Sequence, residues 1–251
     1  MKHGKNRPPA KKAAPYSHPH DRHRQRMRYR YRKEGIDGFA DHEVLEMLLY
    51  YCYPREDTNV IAHRMLNEFG TLYNLFNATV GTLMSTLGCT ERIAVFLNMM
   101  SKTANRYRLS RWDKNVALNN IEVAASFVID LFVGCPVERF YVICLNKRYQ
   151  LINTVLISEG TIDETAVYLR EIIIAATENY ASRIILAHNH PGGSTSPSND
   201  DVMLTRKIFD GVSFLNLEIT DHIISVGDTY YSFASKGEYV DGWHGIYANF
   251  D

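Results

Sequence analysis

Cysteine is scarce in this chain: there are four among 251 residues, and no two form a Cys-x-x-Cys pair. This scatter argues against a structural zinc site built from thiolates. In a chain of this size it predicts reduced, mostly buried thiols and a cytoplasmic protein. The four residues are Cys52, Cys89, Cys135 and Cys144.

Long apolar runs are also missing. No stretch approaches the ~18 consecutive apolar residues that a membrane-spanning helix needs. The N-terminal residues lack the apolar segment of a secretory signal. A hydrophobic content of 45%, with 16 Tyr and 11 Phe, nevertheless supports a packed core. We therefore expect a folded protein that does not associate with a membrane.

The formal net charge of zero conceals an uneven distribution. Residues 1–33 contain 12 Lys and Arg against one acidic residue, Asp21, so the rest of the chain is acidic. We interpret 1–33 as a basic, disordered arm that passes into a stretch from Arg22 to Lys33 where a helix is allowed. A solvated terminus is favoured for such charge runs, but Tyr29 and Tyr31 between arginines are also suited to contact nucleic acid.

Two further domains are predicted. Residues 34–110 show helical spacing, and the segment Leu-Gly-Cys-Thr at 87–90 resembles a degenerate helix-hairpin-helix, since Thr90 replaces its second glycine. A structural turn is favoured there over a phosphate contact. Residues 119–245 alternate β-rich runs with helical ones, and Asn-Lys-Arg at 146–148 indicates a hairpin. The predicted fold class is α/β, a helical N-terminal domain followed by a mixed sheet with packed helices.

The most informative motif is His-Asn-His-Pro at 188–191, which ends the apolar run 184–187. Side chains two apart on a strand project to the same side, so His188 and His190 should lie together. After a Gly/Ser/Pro loop, Ser198 is placed to cap a helix with Asp201 at its third position. Separately, each feature has a structural explanation. Together, two imidazoles and one carboxylate predict a zinc site with a fourth position open to water.

The same residues resemble the JAMM motif of JAB/MPN metalloproteases, and the segments 186–191 and 197–198 resemble the RadC branch of that family. So do Glu-Gly-Thr-Ile-Asp at 159–163 and Asp-His-Ile-Ile at 221–224. The resemblance covers about residues 25–245. It implies a zinc-dependent metallopeptidase or isopeptidase that acts on a peptide or protein substrate, with a JAB/MPN (JAMM) metallohydrolase domain at 119–245.

By this resemblance, His188, His190 and Asp201 are the zinc ligands, Glu138 on the first strand of the domain activates the water, and Ser198 helps to stabilise the oxyanion. Zinc lowers the pKa of a bound water toward ~7, and a carboxylate can accept its proton. One departure is Asn189, where peptidase members usually have Ser or Thr. We interpret Asp221 and His222 as strand-terminal structure, because three ligands are already supplied.

Two alternatives compete with this function. The first is a DNA-associated RadC-type repair protein whose basic arm and helical domain contact DNA. The second keeps the zinc as a structural ion in an interaction module, but structural zinc sites usually have four protein ligands. The oligomeric state is not predicted.

Overall fold

A computed structural model describes residues 21–113, 115–160 and 165–236. The chain divides between Asn98 and Met99 into two compact units, and this division falls inside a helix. Residues 1–20 of the predicted basic arm lie outside the described residues. None of the described helices is long and apolar enough to cross a membrane.

The first unit is helical and has its own apolar core. Hydroxyl and carboxylate side chains cap its helices: Asp57, Thr71 and Thr79 each accept a backbone N–H two or three residues ahead. Gly88 ends a helix in the left-handed conformation, at a φ of 61°. The helices are α1 (Asp21–Glu34), α2 (Asp41–Leu49), α3 (Thr58–Phe69), α4 (Leu72–Asn77), α5 (Val80–Leu87) and α6 (Glu91–Leu109), which continues into the second unit.

Helix α1 occupies the stretch from Arg22 to Lys33, the end of the predicted basic arm. Buried Arg24 attaches it to the unit by donating hydrogen bonds to the carbonyl groups of Tyr53, Pro54 and Glu56. His23 and Arg30 add contacts to the carboxylates of Glu46 and Glu43. Met27, about one turn further on, is buried as well. This arginine-rich stretch is thus held in place by several contacts, among them the three carbonyl groups that Arg24 satisfies.

The second unit contains a five-stranded sheet in the order β2-β1-β3-β4-β5. The β3–β4 pair is parallel and the other pairs are antiparallel, so the sheet is mixed, as the sequence predicts. The hairpin between β1 and β2 is formed at 146–148, as predicted. The elements are α7 (Ile121–Leu131), β1 (Arg139–Leu145), β2 (Leu151–Glu159), α8 (Thr165–Glu178), β3 (Arg183–Asn189), α9 (Asn199–Val212), a 3₁₀ turn (Ser213–Leu215), β4 (Glu218–Val226), β5 (Thr229–Ser232) and α10 (Phe233–Lys236).

Helices cover both faces of this sheet. Alternate residues of β3 show the division: Ile184 and Leu186 pack in the core with α8 and α9, whereas Ile185 and Ala187 pack in the core with α7. The central strands therefore read as continuous apolar runs because both faces are buried. By the same alternation, His188 faces α9, and this orientation positions the site.

Candidate metal centre

The site is assembled where β3 ends and α9 begins. His188 is the penultimate residue of β3, where it pairs with Phe140 of β1, and it is 1% exposed. His190 follows directly after the strand, and its backbone N–H still donates to the Ser225 carbonyl of β4. The strand ladder thus fixes both histidines before the chain turns into the loop.

Asp201 is held at the start of α9 by Ser198, which precedes the first residue of that helix. The Ser198 hydroxyl and backbone N–H both donate to Asp201 Oδ2 at 2.7 Å. In return, the Asp201 N–H donates to Ser198 Oγ at 3.1 Å. This is the reciprocal arrangement of a capping box, so the structural and the metal-binding interpretations of these residues describe the same geometry.

The three candidate ligands converge closely. His188 Nε2 lies 2.9 Å from His190 Nε2 and 3.1 Å from Asp201 Oδ1, and His190 Nε2 lies 3.4 Å from Asp201 Oδ2. In a tetrahedral site with ligands about 2.0–2.1 Å from zinc, neighbouring ligand atoms are about 3.3 Å apart. The observed separations are close to that value, so these side chains fit a zinc ion.

In each histidine the hydrogen bond at Nδ1 determines whether Nε2 can bind a metal. His190 Nδ1 lies 2.8 Å from the Ser194 carbonyl oxygen, which can only accept, so Nδ1 donates. His188 Nδ1 is 2.8 Å from His222 Nε2, behind the site. In the neutral ring, the His190 Nε2 lone pair faces the site, as a metal ligand requires.

The charges of the site also favour a cation. Burial alone would raise the pKa of Asp201, but hydrogen bonds from the rings of His188 and His190, in the state where their Nε2 atoms carry protons, hold that pKa well below its usual value. The Asp201 carboxylate in turn raises the pKa of His190, against the effect of burial. A carboxylate that stays ionised beside two imidazoles can attract a proton or a divalent metal ion.

Glu138 completes the group. It precedes the first residue of β1, rather than lying on the strand as predicted, and one of its carboxylate oxygens lies within 4.8 Å of the ligand nitrogens of His188 and His190. These three residues form a cluster that can hold a metal ion. A carboxylate beside these nitrogens can accept a hydrogen bond from a water molecule on a metal held there.

Asn189, between the two histidines, connects the site to Glu138. Its amide oxygen accepts the Arg139 backbone N–H at 2.9 Å, and its amide nitrogen donates to the Val137 carbonyl at 3.1 Å. The Glu138 carbonyl itself accepts the Gly160 N–H at 2.8 Å. Thus one buried side chain on β3 fixes the backbone on both sides of Glu138.

Comparison with known proteins agrees with this geometry. Residues 118–238 match the model of the RadC-like JAB domain. A UPF0758 protein of Fusobacterium nucleatum is 34% identical over 212 residues, which is 81% of this chain and 90% of that protein. The chain belongs to the RadC-like JAB family. A UPF0758 protein of Pseudoalteromonas translucida is 32% identical over 205 residues, or 82% of this chain and 92% of that protein.

Within this RadC-like JAB protein, the structure brings together every site residue that the sequence suggested. His188, His190 and Asp201 are in mutual contact, Glu138 lies beside them, and Ser198 contacts Asp201. Ser198 is placed by these contacts as a capping residue. Its role toward an oxyanion stays a prediction.

The expected position of Asp221 and His222 at the end of a strand was wrong, while their structural rather than ligand role stays a prediction. Both lie within β4 and both are fully buried. Asp221 accepts hydrogen bonds from the Ser232 hydroxyl and the Ala234 N–H, which attach β5 and α10 to the sheet. His222 contacts His188 directly. The sequence carried only a weak signal for this contact, a histidine in an apolar strand.

Proposed function

We propose that this RadC-like JAB protein is a zinc-dependent hydrolase that cleaves an amide bond, as a metallopeptidase or isopeptidase. His188, His190 and Asp201 would hold the metal. One observation carries the proposal: two ring nitrogens and a carboxylate converge at 2.9–3.4 Å, with the carboxylate of Glu138 beside them. Zinc bound there would polarise the scissile carbonyl group and lower the pKa of a water molecule.

Three protein ligands are typical of a catalytic rather than a structural zinc site, because they leave a position for water or substrate. In this proposal Glu138 accepts a proton from the attacking water and returns it to the leaving amine. Asn189 and Gly160 hold the backbone around Glu138, which keeps its carboxylate beside the ligands.

We propose Ser198 as a second group that stabilises the oxyanion. Its hydroxyl carries a single proton, which is donated to Asp201 Oδ2. During the reaction the hydroxyl would exchange this bond for one to the oxyanion, while the Ser198 backbone N–H continues to hold Asp201. A donor of this kind can contribute about 3 kcal/mol to the transition state.

The test is a hydrolysis screen of zinc-loaded protein on quenched fluorescent peptides and on isopeptide-linked conjugates. Glu138→Gln should retain zinc but lower kcat by about 10²- to 10⁴-fold, the usual contribution of a general base. The matched control Glu178→Gln removes an exposed carboxylate at the end of α8 and should retain full activity. Equal activity of both variants, or no cleavage by the zinc-loaded wild type, would overturn the proposal.

A second candidate function, binding of single-stranded nucleic acid, is supported by a groove in the first unit. This groove of about 830 Å³ is lined by α1, α2 and the residues that follow each of them. Its lining includes apolar side chains, Ile36, Phe39, Val44, Met47 and Leu48, and beside them Arg28, Arg32, Tyr29, Tyr31 and Tyr51. The three tyrosines are 62%, 47% and 82% exposed. Arginines can neutralise phosphates and exposed tyrosines can stack on bases, which is the chemistry of such surfaces.

Anisotropy of a labelled oligonucleotide in a salt series tests this second candidate. The double variant Arg28→Ala/Arg32→Ala should weaken binding and reduce the slope of log K against log salt by about 0.7 for each phosphate that is no longer neutralised. The control Arg148→Ala/Lys207→Ala removes the same charge from exposed positions of the second unit. If both double variants bind alike, only net charge matters and the groove is not the binding surface.

A further inference from the structure

A chain of buried hydrogen bonds lies behind the candidate metal centre. From His188 Nδ1 it runs 2.8 Å to His222 Nε2, and from His222 Nδ1 2.6 Å to Thr205 Oγ1. The Thr205 hydroxyl then donates, over 2.6 Å, to the Asp201 carbonyl oxygen one turn back in α9. This series of hydrogen bonds therefore begins at one candidate ligand residue, His188, and ends at another, Asp201.

The direction of every bond follows from the last one. A carbonyl oxygen can only accept, so the single Thr205 hydroxyl proton points to Asp201. Thr205 Oγ1 must then accept from His222, which places the His222 proton on Nδ1. His222 Nε2 is left with a lone pair, so His188 donates from Nδ1. A neutral His188 consequently has its lone pair on Nε2, toward His190 and Asp201.

Packing prevents the His222 ring from turning over to reverse this order. The ring is fully buried and stacks on Phe233, with centroids 4.9 Å apart and planes 9° apart. Phe140 meets it at an edge, with centroids 5.6 Å apart. Phe140 also stacks on His188, so aromatic side chains fix both imidazoles.

We infer that His222 is a positioning residue that, together with Thr205, holds His188 in the tautomer and orientation needed to bind the metal. This role rests on the proposed function, because it acts through a zinc ligand. It also links the ligand-bearing elements β3 and α9 through β4. Partners of this kind orient metal-binding histidines, and their loss typically weakens metal affinity by about 10- to 100-fold.

Two amide variants separate the two nitrogens of His222. In His222→Gln the amide reaches the position of Nε2, so it can still accept the His188 proton. In His222→Asn the amide reaches only the position of Nδ1, so it can contact Thr205 but not His188. Both substitutions introduce a polar amide at the same buried position, so a general structural cost should affect them similarly.

Zinc affinity is measured by competition with a colorimetric chelator, and folding of each variant by circular dichroism. We expect a dissociation constant near that of wild type for His222→Gln and one about 10- to 100-fold weaker for His222→Asn. Equal affinities of the two folded variants, whether both strong or both weak, would overturn the inference.

The wild type provides a second, independent test. Long-range ¹H–¹⁵N correlation spectra of protein labelled at histidine distinguish the two tautomers, with and without zinc. We expect the His222 proton on Nδ1 and the His188 proton on Nδ1; a proton on His222 Nε2 would overturn the inference even if the variants fail to fold. If the wild type binds no zinc, the proposed function fails, and the spectrum of the metal-free protein still decides the tautomer.

Discussion

Replacing Asn189 by alanine should separate the position of Glu138 from the metal ligands. The Asn189 side chain is 5% exposed and bonds to the backbone of Val137 and Arg139, at 3.1 and 2.9 Å. Its amide group is therefore directed at the segment that carries Glu138 and not at the imidazoles of His188 and His190. Its loss should release that segment and leave the ligands in place.

The magnitude follows from the two bonds. Each hydrogen bond contributes a net ~1 kcal/mol, and a buried polar group left without its partner costs about 1–3 kcal/mol. Because water can reach part of this segment, we expect Asn189→Ala to lower the free energy of unfolding by about 2–3 kcal/mol. Zinc affinity should change little, while the rate of hydrolysis should fall because the Glu138 carboxylate is no longer held in position relative to the metal.

Urea denaturation followed by circular dichroism measures the stability, and chelator competition measures the zinc affinity. The matched control is Asn153→Ala, which removes an exposed amide whose bond to Asn179 is also exposed. Such a surface change should cost within about 0.5 kcal/mol. If Asn189→Ala and Asn153→Ala are equally stable, or if zinc affinity falls as steeply as activity, the positioning role of Asn189 is refuted.

Two further predictions concern buried charges away from the ligands. Burial raises the pKa of Asp221 to about 7, although hydrogen bonds from Ser232, Ala234 and His222 oppose the shift; its unfolded pKa is near 3.9. Its contribution to the free energy of unfolding is therefore fully present below about pH 4 and is lost as the pH rises to 7. Between pH 5 and 8 the free energy of unfolding of the wild type should fall by roughly 2–3 kcal/mol more than that of Asp221→Asn. Urea denaturation with chelator present measures both. Equal losses in the two proteins would contradict this account. Arg24→Ala should destabilise the first unit by about 3 kcal/mol or more, because three carbonyl groups lose a charged donor. The control Arg26→Ala changes an exposed residue and should leave the stability nearly unchanged. Denaturation curves that coincide for the two variants would show that Arg24 does not anchor α1.

The features that the sequence predicted correctly are local ones. The apolar runs of β1 and β3 and the turn at 146–148 depend on neighbouring residues, so the mixed α/β fold could be inferred. The candidate ligands also lie close in sequence, and the alternation of a strand brings His188 and His190 to one side. The capping pair Ser198 and Asp201 needed only the rules of a helix N-terminus.

The contacts that escaped prediction are distant in sequence. Asn189 meets the backbone of Val137 across 52 residues, and His222 meets His188 across 34. Both depend on strand register, since β4 pairs Leu186 with His222 and so places that ring beside His188. A single sequence does not reveal register between strands that are far apart. The order of helix α1 could not be predicted for a related reason, since it depends on carbonyl groups about 30 residues away.

The central claim is that His188, His190 and Asp201 hold one zinc ion, and metal content tests it most directly. Elemental analysis of protein purified without chelator should find about one zinc per chain in the wild type. His188→Ala and Asp201→Ala should each lose it, while Asn153→Ala retains it. A folded wild type that neither contains zinc nor takes it up, or zinc retained in both ligand variants, would contradict the account.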